Sequence, residues 1–309
     1  MASVLVLGAK GRMGRAAVTA FSAAGWDVSA FARDGSAPVP GVRQLTGDVL
    51  DVAALTRACA DQDVIVNAVN PPYHHWADLL PRITDAVITV ARTAGATVMI
   101  PGNVYVYGST LPNVLREDTP WVGNTRKGAI RIRMENAYRD SGVRTIVVRA
   151  GDFFEGTKTG NWFEDHIAAQ ADRGRFRYPG PLDVDHAWAY LPDLARAMVG
   201  LAEQRDTCDS YEEFGFAGYT LTGHALAQHV GRAVEQTMRH VGFPWAGLRL
   251  MALGSPLMRE VLEMRYLWQR PHRVNGAKLT AALPGFVPTP VEEAIERAMA
   301  DPASRLAAN

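Results

Sequence analysis

Residues 3–14, SVLVLGAKGRMG, restrict this chain more than any other segment. SVLVL is a continuous apolar run, the mark of a strand buried on both faces. Gly8, Gly11 and Gly14 follow at GxxGxxG spacing, and then RAAVTAFSAAG, which has helical spacing and stops at Gly25. A strand, a glycine turn and a helix in that order let the backbone approach a pyrophosphate. The helix N-terminus then offers it free N–H groups and a positive dipole end. Lys10, Arg12 and Met13 lie inside the loop, so the expected cofactor contacts run from Gly8 to Gly14.

The rhythm continues. Strands are expected at 26–32, 42–48, 63–69, 96–102 and 143–151, with helices at 51–60, at about 79–93 and one containing the stretch 124–135. Strands alternating with helices at this spacing predict an α/β fold, a doubly wound parallel sheet with helices on both faces. After about residue 150, aromatics and prolines interrupt the pattern, as in GDFFEGTKTGNWF and YPGPLDVDHAWAYLPD. The segments 221–242 and 248–268 read as helical, and Met251, Met258 and Met264 as core fillers. The expectation is a cofactor domain over 1–150 and a smaller, mostly helical substrate lobe over 151–309. About 190–220 should return to the first domain.

Composition narrows the partners. Lys+Arg and Asp+Glu are both 32, so no basic excess points to nucleic acid or a membrane surface. No apolar stretch approaches the roughly 20 residues of a membrane span. Cys59 and Cys208 are the two cysteines and make no disulfide framework, which fits a reducing, cytoplasmic setting. Asp183, Asp185 and His186 lack a companion cluster, so no metal is expected. The expected partner is a small molecule, bound by a monomer or homodimer.

The end of the second strand sets cofactor preference. A carboxylate there accepts from the ribose 2′-OH of NAD, whereas a cation suits the 2′-phosphate of NADP. This chain reads FARD, with Ala32 at the acid position and Arg33 beside it. Lys10 and Arg12 add positive charge, so NADP(H) is expected. Asp34 would become the ribose acid if the register shifted by one residue.

Together these residues resemble the Rossmann-fold short-chain dehydrogenase/reductase superfamily, in its extended, epimerase/dehydratase-like and atypical branches. GDVLD (47–51) looks like the segment whose acid contacts the adenine, here Asp48 with Val49 beside it. NAVNPP (67–72) looks like the loop that passes the cofactor ribose and phosphates, which implicates Ala68, Val69 and Asn70. VYG (106–108), YLPDLARAM (190–198) and the segment 273–299 also resemble extended members. The usual Ser and Tyr-x-x-x-Lys are replaced. Asn103 stands at the Ser position, Lys127 at the Tyr and Arg131 at the Lys. The pattern Lys127–Arg131–Glu135 resembles isoflavone reductase-like and NmrA-like members, in which a lysine serves as acid/base. The resemblance thus implies Lys127 as the proton donor or acceptor and Asn103 as a carbonyl donor.

Physical reasoning leaves two readings of Lys127. At i, i+4 and i+8, the three charges share one helix face, which spacing alone fits to a solvated face with one ion pair. Alternatively, Asn124 or Thr125 caps the helix and sets Lys127 in its first turn. The dipole and Arg131 would then lower its pKa toward working pH. His74, His75 and Tyr73 follow the fourth strand as weaker candidates. The leading expectation is an NADPH-dependent reductase of a small organic substrate, aromatic compounds included. The alternatives are a non-catalytic NADP(H) sensor of NmrA-like type and a nucleotide-sugar epimerase or dehydratase.

Overall fold

The computed structural model describes residues 1–34, 39–156 and 160–300. Seven strands form one parallel sheet: β1 (Ser3–Leu7), β2 (Asp27–Ala32), β3 (Arg43–Thr46), β4 (Val64–Asn67), β5 (Thr97–Gly102), β6 (Thr145–Arg149) and β7 (Tyr211–Gly215). Their order across the sheet is β7-β6-β5-β4-β1-β2-β3. The order reverses after β3, because β4 returns to lie on the other side of β1. A crevice opens at that switch point, outside the carboxyl ends of the strands.

β1 is buried along its whole length, as its apolar run requires. Val4 and Val6 face one core with α1 (Arg12–Ala23) and α5 (Leu191–Glu203). Leu5 and Leu7 face the opposite core with α2 (Val52–Cys59), α3 (Trp76–Ala94) and α4 (Arg126–Asp140). Two helical layers thus enclose the sheet. The sheet's last strand, β7, comes from the second half of the chain and pairs with β6.

The rest of the second half builds a third core around Phe154, Phe163, Trp188, Leu226 and Trp268. It includes a small sheet in which Asp152–Phe154 pairs with His186–Tyr190, and that strand with Tyr219–Leu221. Helix α6 (Gly223–Ala233) ends earlier than the sequence suggests. The chain reverses at Glu235, whose φ is 52°, and Gln236 donates back to the Gly231 carbonyl. Arg239–Gly242 is then a strand beside Arg175–Tyr178, not helix. The expected helix at 248–268 is α7 (Trp245–Met251), α8 (Pro256–Glu263) and a 3₁₀ segment, Met264–Trp268. Of the three methionines expected in the core, Met264 is buried, Met258 lines the cleft described below, and Met251 is 59% exposed. No helix is long and apolar enough to cross a membrane among the described residues.

Candidate active site

The crevice is a cleft of about 1510 Å³. That exceeds the roughly 300–1,000 Å³ of a single small-ligand pocket and leaves room for a dinucleotide with a second molecule. At one end stands the glycine loop. Gly8 has φ +71°, where an L side chain is strained, and a Cβ there would also press on Ala68 and Val69. A Cβ on Gly14 would sit 2.1 Å from the Gly8 carbonyl oxygen. Helix α1 can therefore approach β1 only with glycine at that position. Gly11 is its N-cap, has no side chain to cap the first turn, and the first turn itself carries no acid. Free N–H groups and the positive dipole end are left for an anion. Gly8, Lys10, Gly11, Arg12 and Met13 line the cleft, while Gly14 lies buried beneath them.

The sequence-predicted partners meet this loop. Ala32 ends β2, and Arg33 and Asp34 follow at the rim. Lys10 Nζ donates to Asp34 Oδ1 at 2.7 Å, so the acid already has a cation, and that bond holds its carboxyl below the usual range. Asp48 and Val49 line the cleft beyond β3, and Asp48 Oδ1 accepts from the Leu50 N–H. Ala68, Val69 and Asn70 line it after β4.

Further in, Asn103 follows β5. Its Oδ1 accepts from the Tyr105 N–H at 3.1 Å and caps the short 104–107 turn, which leaves its amide nitrogen to donate. That turn places Tyr105 against Tyr73, with 3.1 Å between hydroxyls. Both phenols line the cleft. Burial pushes both pKa values up, Tyr105 well above the usual phenol range. For Tyr105, the neighbouring Tyr73 and the Asp152 carboxylate push the same way. These hydroxyls stay protonated, and so they donate. His75 also reaches the cleft, and the His74 ring lies against it at 4.0 Å.

Helix α4 carries its charges inward. Lys127, Arg131 and Glu135 are 1%, 8% and 0% exposed, so a solvated face is ruled out. The Lys127 ammonium donates to the Glu260 carbonyl at 2.7 Å, to Glu260 Oε2 at 2.5 Å and to Glu263 Oε2 at 2.8 Å. It lies 5.1 Å from the Tyr73 ring centroid, and the cleft lining does not include it. Arg131 does line the cleft. Its Nη2 donates to the Pro101 carbonyl at 2.8 Å, and its buried Nε has no partner among the described residues. Glu135 in turn accepts from Arg149 at 2.6 Å, and Arg149 also binds Glu213 of β7.

The second half closes the far end with Trp162, Phe243, Leu248, Met258, Val261 and Met264. His166 is among them, and burial lowers its pKa. Asp152, just past β6, also faces the cleft, and its Oδ2 meets His186 Nε2 at 2.8 Å. Sequence reasoning passed over Asp152 and used His186 only as a weak metal candidate. The available signal was position, since ligands collect where parallel strands end. Among the described residues, no three His, Cys, Asp or Glu side chains gather as a metal site.

Residues 8–171 match the family described as NAD(P)H-binding, and the chain belongs to that family. Its fold is that of the short-chain dehydrogenase/reductase and epimerase/dehydratase superfamily. A curated relative, 3-diazoavenalumate denitrifying reductase from a Streptomyces species, is 27% identical over 226 residues. The match covers 66% of this chain and 73% of that protein. Among solved structures, MoeE5 in complex with UDP-glucose and NAD superposes with a TM-score of 0.76 at 16% identity, over 99% of this chain and 100% of that one. UDP-glucose 4-epimerase from Bifidobacterium longum, in complex with NAD⁺ and UDP, gives 0.73 at 15% identity, over 96% and 97%. At such identities the two structures speak for the fold alone.

Proposed function

We propose that the protein is an NADPH-dependent reductase of a small, largely apolar, aromatic substrate. The observation that carries this reading is the distribution of charge along the cleft. The described lining cations are Lys10, Arg12, Arg15, Arg33 and Arg131, from the glycine loop, the end of β2 and α4. The wall contributed by the second half is mainly aromatic and aliphatic, with Asp152, Asn161 and His166 as its polar members and no described lysine or arginine. A nucleotide-sugar diphosphate would bury two charges there without a described cation, at a cost of several kcal/mol per unpaired ion. A flat apolar ring is the better match. The curated relative, by its name a reductase, supports the oxidoreductase class.

The residues present fit the cofactor. Gly8, Gly11 and Gly14 admit the pyrophosphate, and Arg33 with Lys10 favours the 2′-phosphate of NADP(H) over a bare ribose. Arg131, at the cleft wall, suits an anionic or oxygen-rich part of the cofactor. When bound, NADPH supplies the hydride. The chain supplies orientation and a proton. Asn103 and Tyr105 offer donors to a substrate carbonyl, and Tyr105 can hand over its proton and regain one from Tyr73. Because these phenols hold their protons, they act as acids rather than bases near neutral pH, which favours reduction. Lys127, the donor that the resemblance implies, enters the reaction only if α8 releases it. Tyr105 requires no such movement.

Steady-state oxidation of NADPH with a panel of aromatic ketones, enones and diazo compounds tests the reading. Tyr105→Phe is expected to lower kcat by about 10²–10⁴-fold with the NADPH Kd unchanged. Tight NADPH binding without turnover on any compound would favour a sensor instead. A large kcat loss in Lys127→Met at unchanged stability would return the proton to the lysine.

A further inference from the structure

Asp152 is the acid at the apolar end of the cleft. The other described lining acids are Asp34, Asp48 and Asp78. Asp34 and Asp48 stand at the adenosine end, and Asp78 lies 3.8 Å from Arg82 on the same helix. Asp152 is in a different setting. It is 19% exposed and begins the short strand that carries Phe153 and Phe154, opposite Trp188. Asp152 lines the same cleft as Tyr73 and Tyr105, and its charge pushes their pKa values up.

Its support is built into the fold. His186 is 1% exposed, its ring stacked 4.2 Å from Trp268 at 3° and edge-on to His272 at 4.6 Å. Packed from both directions, the imidazole cannot swing away from Asp152 Oδ2. The carboxylate is therefore fixed in rotation, and in that position it lines the cleft. A buried imidazole spent on orienting one carboxylate is wasteful if that carboxylate only fills space. An isosteric Leu–Leu pair would hold the same strands without the desolvation cost. The same cleft is lined by Trp162, Met258 and Met264. An acceptor in such a wall discriminates strongly, because a ligand without the matching donor leaves it desolvated and unpaired.

We infer that Asp152, positioned by His186, selects substrates that carry a hydrogen-bond donor, a hydroxyl or an amino group, on the aromatic ring. This deepens the reductase reading and rests on it for the ring, while the donor requirement rests on Asp152 alone. Asp152 is a specificity residue and His186 a positioning residue.

The test is calorimetric titration of the NADP⁺-loaded protein with para-hydroxy-, para-amino- and para-methylacetophenone, alongside NADPH oxidation with the same three. The hydroxy and amino compounds should bind about 10–100-fold tighter than the methyl compound, the worth of one hydrogen bond to a charged group. Asp152→Ala should shrink that ratio to within about twofold. His186→Leu should reduce it, and His186→Gln, which keeps a donor for Asp152, should restore it. Equal binding of all three compounds by the unmodified protein overturns the inference, and continued turnover would then leave the reductase reading intact. A preserved ratio with no turnover has the opposite meaning: the donor site stands and the reductase reading falls. If Asp152→Ala changes the NADPH/NADP⁺ affinity ratio and not the probe ratio, the carboxylate serves the cofactor and the inference is wrong.

Discussion

Gly14 has room for a hydrogen and no more, since the nearest backbone oxygen would lie 2.1 Å from a Cβ. Gly14→Ala must push α1 off β1 and take the phosphate cradle with it. The expected outcome is loss of NADPH binding together with a lower melting temperature, read by titration and thermal denaturation. Lys127 poses a different case. Removing its ammonium as Lys127→Met leaves Glu260 with Arg126 alone, at 2.9 Å, and strips Glu263 of its closest side-chain cation. Breaking a buried ion pair from one side costs about 3–5 kcal/mol, so chemical denaturation should show a loss of that order. Adding Glu260→Gln should recover part of it. The glycines were legible because backbone crowding permits one residue type. The Lys127–Arg131–Glu135 face was not. Charges four apart look the same on a solvated helix as on one whose partners, Pro101, Arg149 and Glu260, arrive from distant parts of the chain.

At the scale of elements, the first turn of α4 is where the two halves of the molecule are tied. Thr125 Oγ1 accepts from the Gly128 N–H, as an N-cap should. The Glu263 carboxylate accepts from the N–H groups of Arg126 and Lys127, so the end of α8 caps the start of α4. Thr125→Ala should cost about 1 kcal/mol in denaturant midpoint stability. It should also loosen α8, which hydrogen exchange of the 256–263 amides would report as faster opening. The capping threonine could be read from the sequence, the capping glutamate could not, because it lies 137 positions away from Arg126. Similarly, 221–242 lost its last turns to a reversal at Glu235, a residue with no intrinsic liking for positive φ. Helical spacing persists in a sequence even where tertiary pairing, here Arg239–Gly242 with Arg175–Tyr178, wins.

For the whole molecule, cofactor binding and folding are linked. NADPH at about 100 times its Kd should raise the unfolding free energy by about 2.7 kcal/mol, and NADH at equal concentration by less. Arg33→Ala should narrow the gap between the two. Acidity acts through His272, which burial and the neighbouring His186 push down to about 3. Between pH 6.5 and 3 the unfolded chain binds a proton that the folded chain refuses. Stability is full above pH 6.5 and falls as pH drops, by at most about 1.4 kcal/mol per unit from this group. Urea midpoints from pH 7 to pH 4 should show the decline, and His272→Phe should flatten it. The layered sheet was legible in β1, β4, β5 and β6, whose apolar runs declare burial, while β3, RQLT, is largely exposed and shows only through its place in the strand–helix alternation. β7 was harder to see, because YEEFG carries Glu213, buried against Arg149, and reads as surface. That strand has a consequence during synthesis. Until residues 211–215 emerge from the ribosome, TIVVR of β6 is an open, apolar sheet edge ending in a buried arginine deprived of Glu213. Chains with β6 outside the ribosome and 211–215 still inside it, or truncated chains released near residue 150, present the kind of edge on which other strands assemble, and they are the species for which chaperones should compete.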